Sequence, residues 1–258
     1  EGNFGGRGNA CFNISIVREG NIAMALSVHT DKSVLGVDWS NIDTVLLDMD
    51  GTLLDLRFDT EFWTEIVPAT YAQNKGIDVA AAKAFLNPIH AKESGHLNWY
   101  CLDFWSSIVE FDIAQLKQQH AANISWRPEA ENFLRRLRAS HCEVVLVTNA
   151  HPDTLRIKLE QVHLEPWLDK VFTSHSFSAP KEYQAFWQKL QMASAFEPQR
   201  TLFIDDSESV LASAEAYGVK HLITLRQPDS GQGVRAKTRY PAVLHFDELF
   251  KGLPSFDG

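Results

Sequence analysis

Two carboxylates one residue apart, Asp48 and Asp50, close the apolar run Thr44-Val45-Leu46-Leu47 and precede Gly51-Thr52. If that run is a strand, residues i and i+2 share a face and the two carboxylates converge. Burying them unpaired is costly, and a hard divalent cation with oxygen ligands relieves the repulsion. Comparable chemistry follows three later apolar runs: Thr148-Asn149 after Glu143 to Val147, Lys181 behind Pro180, and Asp205-Asp206 after Thr201 to Ile204. A hydroxyl, an amide and an ammonium suit phosphoryl oxygens, and two acidic pairs suit a cation. Each group alone has a plainer explanation: an Asp-Gly turn, a helix cap, a solvated lysine. Their recurrence at four successive strand ends favours one shared site.

The elements that must bring these residues together can be read from the pattern. Short apolar runs rich in strand formers lie at 44–47, 143–147, 170–173, 201–204 and 221–225. Helical spacing separates the later ones: a segment opened by Pro128, another opened by Pro152, and stretches over 182–195 and 207–217, the last stopped by Gly218. Alternating strands and helices predict an α/β fold, a doubly wound parallel sheet. In such sheets ligands bind beyond the carboxyl ends of the strands, where the polar residues above fall. Residues 58–123 break the alternation, with helical patches at 59–73, 79–86 and 99–111 and no strand pattern. This stretch is too long for a simple crossover and reads as an inserted α-helical cap domain, leaving 37–57 and 124–258 as the core.

Composition narrows the function. The chain has 258 residues with 45% hydrophobic and 22% charged, an ordinary globular balance, and a formal charge of -9. An acidic chain without lysine and arginine runs is a poor partner for a nucleic acid polymer or an anionic membrane. No apolar run reaches the ~20 residues of a membrane helix. Cys11, Cys101 and Cys142 are scattered, and they read as free thiols of a cytoplasmic protein. The histidines show no pairing that suggests a metal site, and Arg226 to Gly231 reads as an ordinary loop. Residues 1–36 are Gly-rich, without a starting methionine or the layout of a secretory signal, and read as a loose or non-native tail.

Taken in order, Asp48-Met49-Asp50-Gly51-Thr52, Thr148-Asn149, Lys181 and Asp205-Asp206 resemble the four motifs of the haloacid dehalogenase-like (HAD) hydrolase superfamily. The inserted helical segment sits where that superfamily places its C1 cap. More narrowly, Leu97 to Asp103, Thr148 to Pro152 and Phe203 to Ser207 resemble the bacterial GMP/IMP nucleotidases. The resemblance implies a Mg²⁺-dependent phosphatase in which Asp48 is the nucleophile and Asp50 the general acid and base. It also implies metal ligation by Asp48, the Asp50 backbone carbonyl and Asp206. Asp205 would be a further ligand or would orient Lys181. Thr148, Asn149 and Lys181 would hold the phosphoryl group. The expected substrate is a purine nucleoside monophosphate, GMP or IMP, with Asn98, Trp99 and Tyr100 as base contacts and Asp103 as a further polar edge. The expected assembly is a monomer or a small homo-oligomer. A sugar-phosphate phosphatase or phosphomutase shares the core motifs. A dehalogenase would not need Asp50 or the Asp205-Asp206 pair. A silent binding protein on the same fold should have lost a motif residue, and none is missing.

Overall fold

The computed structural model describes residues 36–255, and the sequence expectations for residues 1–35, Cys11 among them, lie outside the described part. The chain enters with strand β1 (Thr44–Leu47), whose four residues are all buried. It then turns through Gly51 into a run of helices, α1 (Arg57–Glu61), α2 (Val67–Lys75), α3 (Val79–Glu93), α4 (Leu97–Tyr100), α5 (Leu102–Val109) and α6 (Ile113–Gln119). After α7 (Ala130–Arg138), β2 (Glu143–Thr148) returns beside β1, and α8 (Pro152–Val162) leads to β3 (Lys170–Thr173). The short α9 (Ser174–Phe177) and α10 (Gln184–Ser194) carry the chain across to β4 (Thr201–Ile204), on the other side of β1. There α11 (Glu208–Tyr217), β5 (His221–Leu225) and β6 (Ala242–Val243) complete a parallel six-stranded sheet in the order β3-β2-β1-β4-β5-β6. The fold is α/β and doubly wound.

Strand alternation explains the two layers. Val45 and Leu47 join one buried cluster with Phe133, Leu134 and Leu137 of α7 and Ile157 of α8. Leu46, pointing the other way, joins Phe186, Trp187 and Leu190 of α10 and Val210, Leu211 and Ala214 of α11. A sheet covered on both faces has no room for polar residues along its strands, so polarity is confined to their ends. The registers Leu47↔Leu146 and Leu47↔Ile204 bring those ends level. Strand order reverses around β1, between the β1–β2–β3 half and the half that starts at β4, and Asp48 lies at that reversal.

The helical insert has a third cluster of its own, including Phe62, Tyr71, Leu86, Leu102, Trp105 and Ile113. Its first helix passes into α2 through a π-helical turn, Phe62–Ile66, just before Pro68, whose missing N–H relaxes the normal ladder. Asp78 caps α3 by accepting from the Ala81 N–H at 2.7 Å. Several readings of the pattern change. α3 runs on through Pro88 to Glu93, and the 99–111 patch splits into two helices at Cys101. α7 starts two residues past Pro128 because Glu129 adopts a left-handed φ of 63°. β6 has only two residues, too short for any periodicity to announce it. The segment after β5 is more than a connecting loop: Thr60 donates to buried Asp229 at 2.7 Å, the Leu56 N–H to the Pro228 carbonyl at 3.0 Å, and the Ser230 N–H to Asp55 at 3.0 Å. It clasps the base of the insert.

Candidate active site

The strand ends and the insert enclose a cavity of about 690 Å³, within the usual range for small-molecule sites. Asp48, Asp50, Thr148, Asn149, Lys181, Asp205 and Asp206 form its floor, and Trp63, His90, Trp99 and Tyr100 stand among its insert-side walls. The core residues singled out in the sequence therefore meet in one place. Asp48 is held by its N–H donating to the Ile204 carbonyl at 3.0 Å, beside Asp205 on the neighbouring strand. Gly51 is required for two reasons. Its φ is +83°, and a Cβ there would lie 2.7 Å from the Asp206 carboxyl carbon.

Charge on the floor is unevenly matched. The buried Lys181 ammonium donates to Asp48 at 2.5 Å, to Asp205 at 2.7 Å and to the Val147 carbonyl at 3.1 Å. One ammonium thus serves two carboxylates, while among the described residues Asp206 has only Arg235 as an ion-pair partner, at 3.9 Å and partly exposed. Burial raises Asp48 to about 6 despite Lys181. Burial, with Asp205 and Asp48 close by, pushes Asp206 well above the carboxylate range. Carboxylate oxygens of Asp48, Asp205 and Asp206 lie within 4.8 Å of one another. Three hard oxygen donors with surplus negative charge fit a Mg²⁺ ion. Asp205 is more firmly tied to Lys181 than Asp206 is to anything, in keeping with an orienting part for Asp205.

Asp50 belongs to a different set of charges, which sequence reasoning missed. Lys158 of α8, fully buried, donates to Asp50 at 2.5 Å and also to Asp59 of the insert. Asp59 in turn accepts from Lys117 of α6 at 2.6 Å. Burial opposes the charge on Asp59, but Lys117 and Lys158 outweigh it and hold the carboxyl down to about 2. Lys117 also faces the rings of Phe62 and Phe58, 4.5 and 5.1 Å from their centroids, contacts that favour a buried cation. Burial, opposed by Lys158, leaves Asp50 raised to about 6. Lys158 lies four residues after Thr154 on one face of α8, and the structure buries both. Asp59 and Lys117, 58 residues apart, carry no sequence signal.

The remaining expectations divide. Thr148 accepts from the Ala150 N–H at 3.0 Å and keeps its hydroxyl proton to donate. The Asn149 side chain is occupied at both ends: its oxygen accepts from the Lys181 N–H at 2.9 Å and its nitrogen donates to Glu182 at 3.0 Å. It therefore braces the Lys181 loop, helped by Trp187, whose indole donates to the Lys181 carbonyl at 2.9 Å. Tyr100 reaches from the insert to donate to Glu182 at 2.7 Å. Trp99 lines the cavity with its ring edge-on to His90, centroids 5.2 Å apart. Asn98 is not brought to the site. Its side chain, on the surface, donates to Glu93 at 3.1 Å, because one residue along α4 turns it away from the face that carries Trp99. Asp103 is also outside the cavity lining, its side chain 86% exposed.

A profile of the haloacid dehalogenase-like hydrolases matches residues 42–218, from β1 through α11. The chain belongs to this hydrolase family. The resemblance drawn from the motifs is thereby borne out, and the protein is an enzyme. Among relatives of this hydrolase, the GMP/IMP nucleotidase YrfG of Escherichia coli (strain K12) is 37% identical over 219 residues, covering 85% of this chain and 99% of that protein. The nucleotidase of the same name from Shigella flexneri matches equally. In structure, the hydrolase superposes on a HAD phosphatase from Thermococcus onnurineus with a TM-score of 0.68 at 21% identity, covering 81% and 97% of the two chains. L-2-haloacid dehalogenase from Xanthobacter autotrophicus gives 0.55 at 15% identity, covering 81% and 97%. At such identities these likenesses speak for the fold alone.

Proposed function

We propose that this hydrolase is a Mg²⁺-dependent phosphatase acting on purine nucleoside 5′-monophosphates, GMP and IMP first. The observation that carries the chemistry is the placing of Asp48 beside Lys181 and two further acids on the floor of a cavity walled by aromatic side chains. The relatedness to GMP/IMP nucleotidases over nearly their whole length supports the substrate. Residues 58–123 act as the cap, with Trp99 offering a face on which a purine can stack.

The Asp48 carboxylate attacks phosphorus, forming a P–O bond as the ester oxygen leaves, so that one hard displacement becomes two easier ones. Asp50 gives the departing alkoxide its proton. A carboxyl raised to about 6 retains a usable protonated fraction near neutrality. The resulting carboxylate of Asp50 then takes a proton from water, the water oxygen attacks phosphorus, and the Asp48–phosphorus bond breaks to release phosphate. Lys181 and the Thr148 hydroxyl hold phosphoryl oxygens throughout, and Asn149 keeps the Lys181 loop in place. Asp48, Asp206 and the Asp50 carbonyl, with Asp205 at hand, would hold Mg²⁺, which would supply the positive charge that one lysine cannot.

A phosphate-release screen across nucleotides and sugar phosphates, with and without Mg²⁺, tests the reading. GMP and IMP should be turned over fastest, and only with the metal. Turnover of sugar phosphates alone overturns the substrate and leaves the mechanism. Full magnesium-dependent activity in Asp48→Asn overturns the mechanism. Free thiols at Cys101 and Cys142 support action in the cytoplasm.

A further inference from the structure

Beside the acid floor lies a second group of metal-binding side chains, of different chemistry. The Cys101 sulfur and one ring nitrogen each of His151 and His175 lie within 4.8 Å of one another. They come from three places: Cys101 joins α4 to α5 in the insert, His151 caps α8, and His175 lies on α9. The two imidazoles meet edge to face, centroids 4.9 Å apart.

The hydrogen bonds around His175 leave it poised as a ligand. The Ser174 hydroxyl donates to the Asn149 carbonyl at 3.1 Å, so at 3.4 Å it accepts from His175 Nδ1–H. That tautomer leaves the Nε2 lone pair free, and Nε2 is buried with no hydrogen-bond partner among the described residues. An unsatisfied buried acceptor is destabilising, and a ligated ion satisfies it. Burial, with His151 next to it, holds His175 down to about 4, so the ring is neutral under physiological conditions, as a metal requires.

We propose that Cys101, His151 and His175 form a site for a soft divalent cation, Zn²⁺, which ties the helical insert to the core beside the cavity. Thiolate and imidazole favour zinc, whereas the all-oxygen floor favours magnesium, so the two sites sort their ions by ligand type. Tetrahedral zinc holds its donors roughly 3.4–3.7 Å apart, so a contraction of about 1 Å completes the site. Asp103, whose carboxylate stands 3.7 Å from His151 Nε2, is within reach of the fourth position. His151 Nδ1 accepts a 3.3 Å bond from the Asp153 N–H, and the Asp153 carboxylate lies 3.6 Å away. Ligation through Nε2 moves the ring proton to Nδ1, where that carboxylate receives it, the carboxylate–histidine–metal arrangement of many zinc sites. Cys101 releases its thiol proton to solvent, and His175 releases none. Thiolate and Asp103 together balance the ion's two charges.

Co²⁺, which reports thiolate ligation by charge-transfer absorption in the near ultraviolet, gives the test. The full chain, saturated with Mg²⁺, is titrated with Co²⁺ and then with Zn²⁺. Wild type should show the band at one equivalent and lose it to Zn²⁺. Cys101→Ser should lack it, His175→Ala should bind at least ~10-fold more weakly, and Cys142→Ser and Asp206→Asn should keep it. No band in wild type, a band surviving Cys101→Ser, or one indifferent to His175→Ala overturns the site. For the tie, Zn²⁺ should slow hydrogen exchange over residues 97–109 in wild type and not in Cys101→Ser. Equal exchange with and without Zn²⁺ overturns it. The acid floor contains no thiol, so failure here is separate from failure of the phosphatase reading.

Discussion

Two buried charge clusters meet at this cavity, and they are balanced in opposite ways. On the floor, one buried ammonium, Lys181, pairs with Asp48 and Asp205, and the adjoining Asp206 has a partly exposed Arg235 at 3.9 Å. On the insert side, Asp50 and Asp59 are matched by Lys158 and Lys117. Asp48 is raised to about 6, Asp59 between two lysines is held down to about 2, and Asp50, which touches Lys158 alone of that pair, is raised by burial to about 6. A balanced cluster is complete as folded and holds insert and core together. An unbalanced one is costly as folded and becomes favourable only when it gains positive charge. The difference separates a structural use of buried charge, at Asp59 and Lys117, from a catalytic one on the floor, with Asp50 at the junction of the two.

The largest effect should come from the nucleophile. Asp48→Asn should lower turnover by at least ~10³-fold, measured by phosphate release, with circular dichroism unchanged. Lys181→Met should cost about 3–5 kcal/mol in urea unfolding at neutral pH, because it strands two buried carboxylates. A neutral outcome would mean that the floor is not held by this lysine.

Lys158→Met and Lys117→Met sharpen the comparison, since only Lys158 touches Asp50. Losing Lys158 removes an ammonium that lowers the Asp50 pKa. The pH profile of turnover should shift upward and kcat should fall roughly 10–100-fold. Lys117→Met should lower stability and leave the profile in place. Equal profiles for the two variants would dissolve the distinction between the clusters.

The smallest effect is one of linkage. A carboxyl raised from 3.8 to about 6 contributes stability below 3.8 that is lost as pH rises to about 6. One lowered from 3.8 to about 2 contributes stability above 3.8 that is lost as pH falls to about 2. Metal-free Asp48→Asn should therefore unfold at a higher temperature than wild type at pH 7 and at a similar one at pH 3.5. Asp59→Asn should unfold lower at pH 7 and similarly at pH 2. Differences of about 1–3 kcal/mol, a few degrees, are expected in thermal scans. Mg²⁺ should raise the wild-type Tm more at pH 7 than at pH 5.

What the amino-acid sequence determined by itself was the sheet and its floor. Strand runs of buried Val, Leu, Ile and Phe are local patterns, and a parallel sheet confines polar residues to strand ends, so Asp48, Thr148, Lys181 and Asp205-Asp206 were legible together. The motifs carried the family as well. The tertiary structure alone decided which charges meet across the insert. Asp59, Lys117 and Lys158 are joined by packing between helices distant in sequence, and no spacing rule links them. Cys101, His151 and His175 were read as unrelated for the same reason, since their 50- and 24-residue separations match no ligand motif. Asn98 shows the converse. A local resemblance placed it at the site, and the turn of one short helix took its side chain to the surface, where it donates to Glu93. Periodicity reports what each element buries. Only the packing of elements reports what the buried groups touch.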